Sequence, residues 1–304
     1  MIDSTALDTP TDVEVIVKDI VLGSHTFRVY VAGTGQPVLM LHGFPDSAAL
    51  WRYVAPSLVA AGYQVIAPDL RGFGESSKPQ DAAEYVPTKL LADVVGIMQA
   101  LGVRRAHVVA HDFGAFLGWM LAALTPRRVD HLVVISVGHP SVWIHPSLEQ
   151  RARFWYSILY MLPEAEDLVR HRNWELAREM LADEHDGAQY LASLKRPGAL
   201  TAGLNWYRAN CNPAAELHGQ RQLPPVGVPV LAMWGAGDQA MTEQTMLESR
   251  KYVHGPWRYE RIEKAGHFVP LDAPDEVSGL VLEWLGSQET VETLSKARTR
   301  FARR

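Results

Sequence analysis

From Pro37 onward, short continuous apolar runs alternate with stretches of helical spacing, and that alternation leaves few folds open to the chain. The runs are Pro37 to Leu41, Gln64 to Ala67, Ala106 to Ala110, Leu132 to Val137, Pro229 to Trp234 and, more weakly, Tyr259 to Ile262. A strand that is apolar at nearly every residue is buried on both faces, which requires a parallel sheet covered by helices on both sides. The helical patterns that supply this cover are Ala48 to Ala61, Thr88 to Leu101, Ala115 to Leu124, Thr242 to Lys251 and Pro274 to Leu285. Ahead of them, Val13 to Lys18 and Thr26 to Val31 alternate apolar and polar residues and turn at Gly23-Ser24, which reads as an antiparallel edge pair. The expected core is an α/β fold on a mainly parallel, eight-stranded sheet with helices on both faces.

The alternation breaks between His139 and Leu223, a stretch with no convincing buried strand but with Trp, Tyr, Leu and Arg at helical spacing. It reads as a helical cap inserted after the fourth core strand and lying over the carboxyl edge of the sheet. Pro224 and Pro225 mark the return to the core. The expected division is a leader (1–12), a core made of 13–138 and 224–289, a cap (139–223) and a basic tail (290–304). Chain length, 304 residues, is ample for a large core with an insertion. A net charge of −5 gives no reason to expect nucleic acid as a partner. The single cysteine, Cys211, excludes an internal disulfide and reads as a small buried hydrophobe. The N-terminal residues lack a basic and apolar leader pattern, and no apolar run reaches membrane-spanning length, so a soluble cytoplasmic protein is expected.

Chemistry concentrates at Ala110-His111-Asp112-Phe113-Gly114, between the run ending at Ala110 and the helix that follows. Small residues two before and two after Asp112 suit a sharp strand-to-helix turn that aims one side chain off the sheet edge. A plain helix N-cap is the bland alternative for Asp112. A carboxylate nucleophile there restricts the substrate. Attack on an acyl group would give a high-energy anhydride, whereas attack on an sp3 carbon gives an ordinary ester that water can cleave. Ligands of open α/β sheets bind at the carboxyl ends of the strands. Those ends carry His42-Gly43-Phe44-Pro45, Asp238 after Trp234, and His267 after Ile262. The chain order of Asp112, Asp238 and His267 is nucleophile, acid, histidine. His267 is then the general base, Asp238 its orienting acid, and the backbone N–H groups of Phe44 and Phe113 the oxyanion donors. Phe44-Pro45 is a candidate cis peptide.

These segments resemble the epoxide hydrolases of the α/β-hydrolase superfamily, in the Asp-nucleophile branch shared with haloalkane dehalogenases. The resemblance is carried by HGFPDS with Leu50-Trp51-Arg52, PDLRGFGESSKP, AHDFGA, LNWYRAN, WGAGD and AGHFV, and it covers roughly Val13 to Leu285. It implies an inserted cap with two tyrosines that hold the epoxide oxygen and supply a proton. Tyr207 matches the second of these, and Tyr156 the first, with Tyr160 one helical turn away as the alternative. It further implies conversion of an apolar epoxide to a vicinal diol with no metal or organic cofactor, by a monomer or homodimer. The expected pocket comprises His42, Pro45, Trp155, Tyr160, Trp206 and Phe268.

A haloalkane or haloacetate dehalogenase using the same triad is the competing reading. The positions where dehalogenases place halide-binding N–H side chains hold Phe113 and Phe44, which have no side-chain donor, although Trp155 is available as one. A ligand-binding protein on the same fold is the non-enzymatic alternative, and cofactor-free lyase or oxygenase chemistry a third.

Overall fold

The computed structural model describes residues 14–213 and 222–286. The leader 1–12 and the tail 290–304 lie outside the described residues. Eight strands form one sheet: β1 (Val15–Leu22), β2 (His25–Ala32), β3 (Pro37–Leu41), β4 (Gln64–Pro68), β5 (Ala106–His111), β6 (Val129–Ile135), β7 (Val230–Gly235) and β8 (Trp257–Ile262). Their spatial order is β1-β2-β4-β3-β5-β6-β7-β8. The β1–β2 and β2–β4 pairs are antiparallel and all the others parallel. β1 keeps an exposed face, whereas every residue of β5 and β7 is buried, which is why only the first strands alternate in sequence.

The helices of the core are α1 (Ala55–Ala60), α2 (Pro87–Ala100) and α3 (Phe113–Leu124). Pro87 opens α2, where its missing N–H costs nothing. The helix expected over 48–61 is divided into a 3-10 turn, Ala48–Trp51, and α1. Trp119 on α3 is fully buried, its Nε1–H donating to the Val137 carbonyl.

Between β6 and β7, where the cap was expected, lie α4 (Leu148–Arg153), α5 (Trp155–Met161), α6 (Ala165–Met180), α7 (Gly187–Leu194) and α8 (Ala199–Asn210). α6 is broken at residues 171–174, where Arg172, Asn173 and Trp174 have left-handed backbones. The insertion packs on the loops at the carboxyl ends of the strands. Trp206 Nε1–H donates to the Arg71 carbonyl, Tyr190 Oη–H to Asp46 and Arg52 pairs with Asp186. After β7 come α9 (Glu243–Glu248), α10 (Val269–Asp272) and a final helix, α11, described over 274–286. No helix among the described residues is long and apolar enough to cross a membrane.

Candidate active site

Asp112 stands between the end of β5 and the start of α3 with φ 51° and ψ −124°, a backbone conformation that costs a non-glycine residue about 1–3 kcal/mol. The turn is possible because its neighbours are small. A Cβ on Gly114 would lie 2.1 Å from the Leu41 carbonyl oxygen, and one on Gly43 would lie 2.1 Å from Asp112 Oδ1. The β3 loop thereby comes close enough for Phe44 N–H to donate to Asp112 Oδ1 at 2.8 Å. Phe113 N–H also donates to the carboxylate. The Phe44-Pro45 peptide is cis. His42 holds this loop: its Nε2 accepts from Leu70 N–H, so its Nδ1–H donates to the Gly43 carbonyl, each at 2.9 Å. Burial lowers the pKa of His42 to about 4, which keeps it in that neutral form.

His267 Nε2 lies 3.5 Å from Asp112 Oδ2, and its Nδ1 is 2.9 Å from Asp238 Oδ2. The other Asp238 oxygen accepts the N–H groups of Ala240 and Met241, both at 2.8 Å. Gly235 lets the loops meet, since a Cβ there would sit 2.1 Å from the Gly266 carbonyl oxygen. The His267 carbonyl is held by His111 Nε2–H at 2.8 Å and by Ser136 Oγ–H at 2.7 Å. Neither residue was expected from sequence at the site, although His111 adjoins Asp112.

Electrostatics follow from this chain of charges. Burial favours a neutral Asp112, but hydrogen bonding to His267 and the charge of His267 outweigh it and lower its pKa. Burial also opposes charge on His267. The Asp238 carboxylate, reinforced by hydrogen bonds to Asp112 and Asp238, overcomes this and raises its pKa well above the ordinary value. Both directions favour an imidazolium held between two carboxylates.

A cavity of about 270 Å³ opens over Asp112. Asp112, Phe113 and Tyr207 form one end; Phe116, Val137, Trp143, Phe154, Ile158 and Met241 make most of the rest apolar. Tyr207 is buried, and its ring meets those of Phe44 and Phe113 edge-on with centroids 5.3 and 5.0 Å away. Tyr156 is half-buried, with its ring centroid 6.0 Å from that of Tyr207. Burial, then the neighbouring tyrosine and aspartate charges, push both phenols well above the ordinary value. Neither hydroxyl has a hydrogen-bond partner among the described residues, whereas Tyr160 donates to Met180 Sδ at 3.4 Å.

The structure therefore brings together Asp112, His267, Asp238, the Phe44 and Phe113 amides and Tyr207, with Tyr156 beside Tyr207 but outside the cavity lining. The six residues expected to form the pocket do not line this cavity. His42, Trp206 and Phe268 are buried supports behind it, Pro45 faces a separate small cleft, Tyr160 packs beneath the other tyrosines, and Trp155 is half exposed on the outer surface. The wall is instead made by residues such as Phe116, Val137, Gln150 and Cys211, which carried no distinguishing pattern in the sequence. Among the described residues, no group of three or more His, Cys, Asp or Glu side chains is arranged to hold a metal ion.

Residues 36–274 match the family model of the alpha/beta hydrolase fold. Epoxide hydrolase A of Mycobacterium tuberculosis is 32% identical over 86% of this chain and 94% of its own length. Epoxide hydrolase 3 of Xenopus tropicalis is 34% identical over 82% and 71%. Among solved structures, an epoxide hydrolase from Vigna radiata superimposes with a TM-score of 0.77 at 26% identity, covering 90% of this chain and 99% of that one. The chain belongs to the alpha/beta hydrolase fold family and groups there with epoxide hydrolases.

Proposed function

We propose that this protein hydrolyses small apolar epoxides to vicinal diols through an ester on Asp112. The observation that carries this reading is a carboxylate at the elbow that shares its cavity with Tyr207, whose hydroxyl has no hydrogen-bond partner among the described residues, and is backed by a histidine–aspartate pair, with Tyr156 beside Tyr207. Asp112 Oδ1 is tied to Phe44 N–H, which leaves Oδ2 to attack an epoxide carbon. The C–O bond of the ring breaks as the ester bond forms, and Tyr207 or Tyr156 gives its proton to the ring oxygen. As the C–O bond breaks, the ring oxygen becomes an alkoxide, a strong base that takes up the phenol proton.

Esterification removes the Asp112 charge, one of the influences that hold the His267 pKa up. The imidazolium proton then restores the tyrosinate, and neutral His267 takes a proton from water as it attacks the Asp112 carbonyl carbon. The oxyanion forms on Oδ1, already against the Phe44 amide. Collapse releases the diol with a proton from His267, and the new Asp112 carboxylic acid returns its proton to His267. Asp238 keeps the ring oriented throughout. This assigns Asp112, His267, Asp238, Tyr156 and Tyr207 to catalysis, with 139–223 serving as the cap.

Dehalogenation by the same triad needs side-chain N–H donors beside the leaving halide. Trp155, the donor the sequence offered, is half exposed and outside the cavity wall; that wall holds the N–H side chains of Trp143 and Gln150, of which Gln150 Nε2 is spent on the Ala240 carbonyl. Assays with styrene oxide, an aliphatic epoxide, 1-bromobutane and fluoroacetate separate the readings. Diol release without halide release is expected; halide without diol overturns the proposal.

A further inference from the structure

We infer that Gln150 and Arg153, on α4 of the helical insertion, position the Asp238 loop and through it His267, so that the insertion helps set the strength of the base. This rests on the reading of His267 as the base in the previous section.

The loop from Asp238 to Thr242 is tied on its inner side by its own acid, whose Oδ1 accepts the Ala240 and Met241 N–H groups. Of its other polar groups, the Thr242 carbonyl accepts from Thr245 and the Met241 carbonyl from Trp234 Nε1–H of β7 at 3.1 Å, and α4 holds the carbonyls of Asp238 and Ala240, the Met241 carbonyl as well, and the Thr242 N–H. Gln150 is fully buried and spends both ends of its amide there. Nε2–H donates to the Ala240 carbonyl at 2.9 Å, and Oε1 accepts Thr242 N–H at 2.8 Å and the Thr242 hydroxyl at 3.0 Å. Arg153 donates through Nη1 to the carbonyls of Asp238 and of Met241, while Nη2 is held by Glu149 at 2.8 Å.

Two side chains of the insertion thus hold main-chain groups of residues 238, 240, 241 and 242. The Asp238 carboxylate is bound to the amides of the same loop, so a shift of this backbone is a shift of the carboxylate. The Asp238 charge is the main influence that keeps the His267 pKa up against burial. Gln150 and Met241 also line the cavity, so displacement of α4 reaches the substrate and the base together. Ordinary docking of the insertion needs contacts somewhere on the core; it does not need them on the main chain of the acid's own loop. Gln150 and Arg153 are positioning residues, since neither touches Asp112 or His267.

Single-turnover rapid quench with intact-mass detection separates ester formation from ester hydrolysis. Gln150→Leu leaves charge unchanged. Hydrolysis is expected to slow at least ten-fold more than ester formation, with adduct accumulating. The apparent pKa of the hydrolysis step is expected to move to lower pH as the hold of Asp238 on His267 loosens. Arg153→Met is expected to show the same split and Arg153→Lys to restore it; this pair carries the test should Gln150→Leu not fold. Equal slowing of both steps in every soluble variant, with an unmoved pH profile, marks a merely structural role and overturns the inference. If neither wild type nor His267→Gln ever forms the adduct, the underlying reading falls as well, and the two failures are told apart.

Discussion

Asp112 has a strained backbone and an ionised side chain for related reasons. The left-handed turn, permitted by Gly114 and Gly43, aims the carboxylate at the Phe44 amide and at His267, and those partners keep it charged despite burial. At the same scale, Tyr207 lines the cavity with Tyr156 beside it, and neither hydroxyl has a hydrogen-bond partner among the described residues, whereas Tyr160 spends its hydroxyl on Met180. Tyr207→Phe is expected to slow ester formation about 100-fold or more, the size of a lost general acid, while hydrolysis of a preformed ester changes little. Single-turnover rates check this, and equal slowing of both steps contradicts it. Asp112, Asp238, His267 and Tyr207 were legible in the sequence because each sits in a short motif whose local geometry is nearly fixed. Tyr156 matched the motif and Tyr160, one helical turn away, stayed as its alternative, because the Met180 contact contributed by α6 that occupies the Tyr160 hydroxyl leaves no mark in the sequence.

Among the elements, the loop after β4 is fixed to α2 by a buried ion pair and meets the insertion through a main-chain carbonyl of the same residue. Arg71 bonds bidentately to Asp93 on α2, with both contacts at 2.7 Å, and to Glu84 at 2.8 Å, while its carbonyl accepts the Trp206 indole from α8. Arg71→Met leaves Asp93 buried without its partner, and a loss of about 3–5 kcal/mol is expected in chemical denaturation at pH 7. A loss below about 1 kcal/mol would show that solvent or a rearranged neighbour compensates Asp93. The strands were readable as continuous apolar runs because both faces of the sheet are covered. The break in α6 was not, because three left-handed residues without glycine leave no trace in spacing.

For the molecule as a whole, four buried histidines carry depressed pKa values with burial as the main cause: His42, His111 and His139 at about 4 and His107 at about 3. The unfolded chain takes up protons at these positions below about pH 6.5, and the folded chain does not until its lower values are reached. Each therefore lowers stability as pH falls from about 6.5 toward 4. Asp46, raised to about 7 by burial, acts in the opposite sense, because the folded form holds its proton. His139, stacked on Tyr252, serves to test the effect. His139→Phe is expected to reduce the loss of stability between pH 6.5 and 5 by about 1.5 kcal/mol relative to wild type. An unchanged pH dependence in denaturation contradicts a neutral buried His139. The cavity wall is also a property of the whole molecule. Phe116, Gln150, Cys211 and Met241 converge only through tertiary packing, whereas motif-borne aromatics such as Trp206 and Phe268 were drawn into the supporting core. The central claim, an ester on Asp112 cleaved by water that His267 activates, is tested most directly by mass spectrometry of His267→Gln incubated with styrene oxide. A persistent adduct of one substrate mass, mapped to the peptide containing Asp112, is the expected result; diol formation with no adduct, or an adduct on another residue, would contradict it.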